Sequence, residues 1–181
     1  MKREFLTVSN LLSVSRALLV IPFAVVMLPP GPPERVTGAI FLALAALTDK
    51  LDGVFARKFH QETEWGRILD PLADKVGVAA VALILLRLGD IPLWFVAALL
   101  SRDLLIFAGG MYIKATRGMV LPSNQTGKWA VGVVSVVLFL GIVGAPPSVI
   151  APFLWASAAV LLASFLLYAK RFVITVSSKA R

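Results

Sequence analysis

The chain of 181 residues contains no cysteine and a single histidine, His60. Disulfide scaffolds, thiolate zinc sites and cysteine nucleophiles are therefore excluded, and a histidine-based metal site is nearly excluded. Charged residues make up only 15% of the chain, against about a quarter in a typical soluble domain. Hydrophobic residues reach 59%, which excludes intrinsic disorder. This composition is typical of a polytopic membrane protein. The net charge of +8 is then the basic excess of cytoplasmic membrane edges, not a nucleic-acid-binding surface.

Six apolar segments are long enough, or nearly so, to cross a membrane, because a spanning helix needs about 20 mostly apolar residues. The predicted spans are 11–28, 36–58, 66–88, 91–113, 129–143 and 149–168. Turn signals separate several of them, and the strongest is the proline-rich run Pro29–Pro33. Residues 1–9 are expected to form a short helix on the membrane surface. No repeat or linker divides the chain, so we predict one all-α integral membrane domain over residues 1–181.

Basic residues predict how the bundle is oriented. With six spans both termini share one side of the membrane, and that side collects most of the lysines and arginines. The opposite loops carry only Arg35 and Arg87. Because positive residues mark the cytoplasmic face, we predict a multi-pass protein of the cell (inner) membrane with both termini inside. The loop between the second and third spans is then cytoplasmic as well.

Four aspartates lie at or near membrane depth, where an ionised side chain is unfavourable unless it is paired or hydrated. Asp49 and Asp52 are three residues apart, and Asp70 and Asp74 are four apart. On helices each pair shares a face, and the short loop between the two spans makes them antiparallel neighbours. The acidic faces can then meet in a polar cavity open to the cytoplasm. The alternative is four aspartates at helix ends, solvated at the cytoplasmic surface and paired with neighbouring lysines and arginines.

Four converging carboxylates require cations. Their oxygen ligands suit a hard divalent ion such as Mg²⁺ or Mn²⁺, and two such ions would balance the four charges. Two-metal sites are common in phosphoryl transfer, because paired ions stabilise the attacking and the leaving oxygen. Arg57, one turn beyond Gly53, supplies a planar fork that could hold a diphosphate. A cation-coupled transporter is the alternative from another class, but two related halves with broken helices, which are common in transporters, are missing.

The acidic residues also form a recognisable pattern. The chain contains Asp49-x2-Asp52-Gly53-x2-Ala56-Arg57-x8-Gly66-x3-Asp70-x3-Asp74. This pattern resembles the complete signature of the CDP-alcohol phosphotransferase family, and the resemblance extends to the six-helix layout and the chain length. It implies transfer of a substituted phosphate from a CDP-linked donor to an alcohol, with release of CMP. An inactive family member serving as a membrane partner is the alternative, but no signature position is lost.

The resemblance also implies roles for individual residues. Asp49, Asp52, Asp70 and Asp74 would be metal ligands, for two Mg²⁺ or Mn²⁺ ions. Asp74 would in addition be the general base that takes the proton from the acceptor hydroxyl. The residues implied for CDP binding are Asp52, Gly53, Ala56, Arg57 and Gly66. Resemblance to the family further suggests a homodimer in the membrane.

The remaining polar residues of the spans indicate which alcohol is the acceptor. Arg102 lies deep in the fourth span and Lys128 at the start of the fifth, and both are predicted to bind an anionic acceptor. The alternatives are that Arg102 pairs with Asp103 or with a carboxylate of another span, and that Lys128 is an interface anchor. Within the family, the segments Thr48–Gly53 and Asp70–Lys75 are similar to phosphatidylglycerophosphate synthases, and eukaryotic-type cardiolipin synthases share much of them.

We therefore expect CDP-diacylglycerol and glycerol 3-phosphate to give phosphatidylglycerophosphate and CMP. The same chemistry with another acceptor is the alternative. That acceptor could be phosphatidylglycerol, giving cardiolipin, or an inositol phosphate, since both would suit a lone arginine and a lone lysine.

Overall fold

The computed structural model describes residues 18–28, 31, 33–44, 66–118 and 125–177. All regular structure within these ranges is helical, which confirms the all-α prediction. The helices are α1 Val20–Met27, α2 33–44, α3 Gly66–Leu88, α4 Leu93–Arg117, α5 Gln125–Ile142 and α6 Pro147–Ser177. In the described part of the chain, α4 and α6 are long and apolar enough to cross a membrane. The six-span layout stays a prediction.

The helices differ in length from the predicted apolar spans. α3 has the predicted bounds, but α4 continues to Arg117 and α6 to Ser177, beyond the predicted ends at residues 113 and 168. α5 begins at Gln125, four residues before its predicted start at Trp129. Apolar content marks only the part of a helix that lies in hydrocarbon, whereas backbone hydrogen bonding continues through polar residues at the interface. At 1.5 Å per residue, α6 is about 46 Å long, against about 30 Å of hydrocarbon.

Two of the predicted turns are present. α3 ends where Gly89 adopts a positive φ of 79°, and the N–H groups of Gly89 and Asp90 donate to the carbonyls of Leu86 and Leu85. This arrangement closes the helix because glycine reaches the left-handed region without steric cost. The break between α5 and α6 falls before Pro147, as predicted. The turn signal at 121–124 lies outside the described residues.

The described residues form two compact units. The first contains α1, α2, α3 and the segment Ile142–Gly144, and the second contains α4, α5 up to Gly141, and α6. In the first unit α1 packs against α3, with Phe23 and Met27 buried. Gly38 of α2 lies so close to α1 that an added Cβ would stand 2.5 Å from the Met27 sulfur. The prediction of a single domain stays a prediction.

In the second unit α4 and α6 pack side by side and run parallel. Trp94 stacks on Trp155 near the beginning of both helices, with ring centroids 5.1 Å apart. Near their ends, the Arg117 guanidinium donates to the Val176 carbonyl at 2.6 Å. Because residue numbers rise together along the contact, the chain must return to the starting end between the two helices, and α5 covers that distance.

The outer surfaces of α4 and α6 are apolar. Leu104 and Leu162 are each exposed by more than half, and only about a fifth of either helix's most apolar stretch is buried. Soluble monomers rarely expose such continuous apolar surface. These two helices are therefore suited to contact with lipid.

Candidate active site

α3 carries two of the four predicted metal ligands. The helix runs unbroken from Gly66 to Leu88 and so passes through both Asp70 and Asp74. Positions four residues apart lie on one face of an α-helix, about 6 Å apart along its axis. Asp74 is exposed. The backbone thus provides the one-sided spacing that the sequence predicted for this pair of positions.

The other half of the predicted site lies outside the described residues. This applies to the metal ligands Asp49 and Asp52 and to the CDP-binding positions Gly53, Ala56 and Arg57. Within the described ranges no cluster of three acidic or histidine side chains occurs. The donor set nonetheless fits a divalent cation chemically, since every candidate ligand is a carboxylate and hard cations prefer oxygen. Convergence of the four aspartates stays a prediction.

Arg102 makes two side-chain hydrogen bonds within the described part of the second unit. It lies in the tenth position of α4, and its side chain is 11% exposed. Its Nη1 donates to Asp103 Oδ1 at 2.6 Å, and its Nη2 donates to Ser164 Oγ of α6 at 2.5 Å. Its Nε is buried and has no hydrogen-bond partner among the described residues. The pairing with Asp103 is the arrangement that the sequence analysis left open as the alternative to acceptor binding.

Ser164, the partner of Arg102 on α6, was not predicted from the sequence. It is 1% exposed and lies on a buried stripe of α6 that repeats every three or four residues. The stripe consists of Ile150, Leu154, Ser157, Leu161 and Ser164. Small polar residues on the packed face of an apolar helix commonly bond across to a neighbouring helix. The spacing of Ser157 and Ser164, seven residues apart in α6, could therefore have indicated a polar contact with a neighbouring helix.

Lys128 lies in the first turn of α5, as predicted, and it is exposed. Its neighbour Trp129 is 70% exposed. An exposed lysine beside an exposed tryptophan at a helix end is also typical of residues at a membrane interface. The geometry of Lys128 therefore fits both of the roles considered for it.

The first unit holds a second polar cluster that the sequence analysis did not predict. Arg35 Nη2 lies 3.0 Å from Asp90 Oδ1, and Arg35 Nη1 donates to the Ile142 carbonyl at 3.4 Å. Both side chains of the ion pair are mostly buried, with 20% and 15% of their surface exposed. A cavity of about 680 Å³ lies beside the pair, between the apolar side of α2 and the 143–144 segment. No predicted site residue lines this cavity.

Comparison with known proteins decides the family. The chain matches the CDP-alcohol phosphatidyltransferase family over residues 6–176. It belongs to that family. The resemblance recognised in the signature is confirmed, and the chain is an enzyme of this class, which makes it a transferase of phospholipid biosynthesis. The family is membrane-bound and uses a divalent metal ion.

The names of the relatives point to two activities, phosphatidylglycerophosphate synthesis and cardiolipin synthesis. A Bacillus subtilis protein named CDP-diacylglycerol–glycerol-3-phosphate 3-phosphatidyltransferase is 34% identical over 136 residues, which cover 67% of this chain and 70% of that protein. A Mycobacterium tuberculosis protein named "Probable phosphatidylglycerophosphate synthase" is 31% identical over 123 residues, or 66% of this chain. A Drosophila melanogaster protein named "Probable cardiolipin synthase (CMP-forming)" is 31% identical over 126 residues, or 69% of this chain. The matched segments span 58% and 37% of the latter two proteins.

Proposed function

We propose that this CDP-alcohol phosphatidyltransferase moves the phosphatidyl group of CDP-diacylglycerol to glycerol 3-phosphate, giving phosphatidylglycerophosphate and CMP. The observation that carries the proposal is the complete acidic signature, two of whose aspartate positions lie one turn apart on the unbroken helix α3. The 34% identity to the Bacillus enzyme of that name supports the choice of acceptor.

Each signature residue has a chemical task in this reaction. Asp49, Asp52, Asp70 and Asp74 would hold two Mg²⁺ or Mn²⁺ ions, and the bound ions would neutralise the diphosphate and lower the pKa of the attacking hydroxyl. Asp74 accepts the proton of that hydroxyl. The acceptor oxygen bonds to the phosphorus that bears diacylglycerol, and the bond from that phosphorus to the CMP oxygen breaks.

The cytidine diphosphate portion of the donor requires its own contacts. Arg57 presents two parallel N–H donors to the diphosphate. Gly53 and Gly66 lack side chains and allow the ligand to approach the backbone closely, and Ala56 is small enough to line the same pocket. We place this pocket at the cytoplasmic side of a six-span, single-domain protein. By family resemblance, we also propose that the protein forms a homodimer.

The acceptor's phosphate is assigned to Arg102 and Lys128. The Arg102 guanidinium is mostly buried where α4 meets α6, and there its charge is shared between Asp103 and any anion that binds. Its buried Nε–H is a donor that lacks a partner among the described residues, and such a donor is unfavourable until an acceptor satisfies it. A phosphate oxygen is an acceptor of the required charge.

Cardiolipin synthesis, with phosphatidylglycerol as acceptor, is the second candidate. The observation in its favour is the ion pair between Arg102 and Asp103, which leaves Lys128 as the uncompensated positive charge of the proposed acceptor contact. One positive charge suits the single charge of a phosphodiester better than the double charge of a phosphomonoester. The similarity to the Drosophila protein named as a cardiolipin synthase also supports it.

An acceptor panel distinguishes the two candidates. Purified full-length protein in lipid nanodiscs is given labelled CDP-diacylglycerol and Mg²⁺ with glycerol 3-phosphate, phosphatidylglycerol or inositol phosphate, and the labelled product is identified. Phosphatidylglycerophosphate is the expected product, and cardiolipin would establish the second candidate instead. Arg102→Ala is expected to raise the acceptor KM about 10- to 100-fold while the donor KM stays within about twofold. An unchanged acceptor KM would remove Arg102 from the site.

A further inference from the structure

Arg102 is held by two partners, and the two come from different helices. Asp103 follows it on α4, whereas Ser164 lies on α6 and is separated from it by 62 positions in sequence. Each partner takes one terminal nitrogen, at 2.6 Å and 2.5 Å. With one contact on Nη1 and one on Nη2, the plane of the guanidinium is fixed, and so is the direction of its Nε–H.

An arginine side chain without such contacts would have many rotamers, and in a membrane helix it would extend toward the interface. Bidentate recognition of a phosphate needs a guanidinium of fixed plane, because the two parallel N–H groups must meet two oxygens at once. Fixing the side chain before the acceptor binds also reduces the entropy lost on binding.

We propose that Ser164 is a positioning residue for acceptor binding, acting through Arg102. This inference rests on the proposed acceptor role of Arg102 and adds to it a residue from α6. Ser164 is itself 1% exposed, so little solvent competes with Arg102 for its hydroxyl. The hydroxyl oxygen of Ser164 accepts a hydrogen bond from Arg102 Nη2. In this proposal the bond holds the guanidinium where the phosphate of the acceptor would bind.

Ser157 offers a control that distinguishes the hydrogen bond of Ser164 from its packing in the helix contact. It lies two helical turns earlier on the same buried stripe of α6, is 0% exposed, and has no hydrogen-bond partner for its hydroxyl in the described part of the chain. A buried serine on this face is therefore compatible with α6 without a bond to α4. Ser157→Ala removes the same atom from an equally buried position of the same stripe and serves as the matched control.

The test compares Ser164→Ala, Ser164→Thr, Ser157→Ala and Arg102→Ala as purified full-length enzymes in nanodiscs. Donor and acceptor KM, kcat and the thermal midpoint are measured for each. Ser164→Ala is expected to raise the acceptor KM about tenfold, with the donor KM within about twofold. Ser164→Thr, which retains the hydroxyl, restores the acceptor KM, and Ser157→Ala leaves it unchanged. When Arg102 is already alanine, Ser164→Ala is expected to cause no further increase in the acceptor KM.

Three results would overturn the inference. An unchanged acceptor KM in Ser164→Ala, beside a raised one in Arg102→Ala, leaves the proposed function intact and removes Ser164 from it. A lower thermal midpoint and lower kcat at unchanged acceptor KM would show that Ser164 only supports the fold. An acceptor KM that Arg102→Ala does not change contradicts the proposed role of Arg102 itself, and the inference on Ser164 is lost with it.

Discussion

Replacing Arg35 by methionine should destabilise the protein without touching the predicted catalytic residues. The substitution keeps the apolar stem of the side chain and removes the guanidinium that contacts Asp90 and the Ile142 carbonyl. Asp90 Oδ2 is already buried without a hydrogen-bond partner among the described residues, so losing Arg35 also deprives Oδ1 of this contact. The carboxylate then remains mostly buried with its negative charge uncompensated by Arg35.

The magnitude follows from the exposure of the pair. Ion pairs at a fully exposed surface contribute about 0–1 kcal/mol, and breaking a fully buried pair costs about 3–5 kcal/mol. With 20% and 15% of the two side chains exposed, the Arg35–Asp90 pair lies between these limits. We expect Arg35→Met to lower the free energy of unfolding by about 2 kcal/mol, which is on the order of 5 °C in the thermal midpoint.

Thermal unfolding in detergent, followed by tryptophan fluorescence, measures this loss. Arg87→Met is the matched control, because Arg87 is an exposed arginine in the last turn of α3. Asp90→Asn combined with Arg35→Met should be less destabilised than the sum of the two single variants, since it removes the uncompensated charge. Equal midpoints for Arg35→Met and Arg87→Met, or strictly additive effects in the double variant, would refute the importance of this ion pair.

Two further predictions concern the chemistry and the packing of α4 on α6. Asp74→Asn should lower CMP release at least about 10²- to 10⁴-fold in the radiolabel assay, because the proposed base and a proposed metal ligand are lost together. Retained turnover would remove Asp74 as the base. Gly109→Ala should lower the thermal midpoint relative to Gly110→Ala, because a Cβ at Gly109 meets the Tyr168 hydroxyl at 3.0 Å and a Cβ at Gly110 meets it at 3.6 Å. Helix propensity favours alanine equally at both glycines, so equal midpoints would contradict the close approach.

The sequence predicted best what depends on local patterns. The third span was bounded correctly because a charged first half, an apolar second half and a Gly89-Asp90 turn mark both ends of α3. The end of α6 was missed because its last residues include Lys170 and Arg171, which interrupt the apolar run but not the helix. Hydrophobicity reports where lipid begins and ends, and backbone hydrogen bonds need not stop there.

Long-range polar contacts could not be predicted in the same way. The pairing of Arg102 with Asp103 was a foreseeable alternative because the two residues are adjacent. The bond to Ser164 joins residues 62 positions apart, and the pair of Arg35 with Asp90 joins residues 55 apart. The spacing of the serines in α6 marks its packed face but does not identify Arg102 as the partner of Ser164. Arg35 was used in the sequence analysis only as a marker of orientation. The four signature aspartates were recognised because their spacing is itself the pattern.

Binding of Mn²⁺ tests the central claim, that the four signature aspartates form a divalent-metal site, most directly. Mn²⁺ is titrated into the purified, substrate-free protein in nanodiscs, and the bound ion is counted by electron paramagnetic resonance. The wild-type chain is expected to bind about two ions per protomer, with Asp70→Asn and Asp74→Asn each losing at least one. Mn²⁺ binding that is absent, or that is unchanged in both variants, would contradict the account.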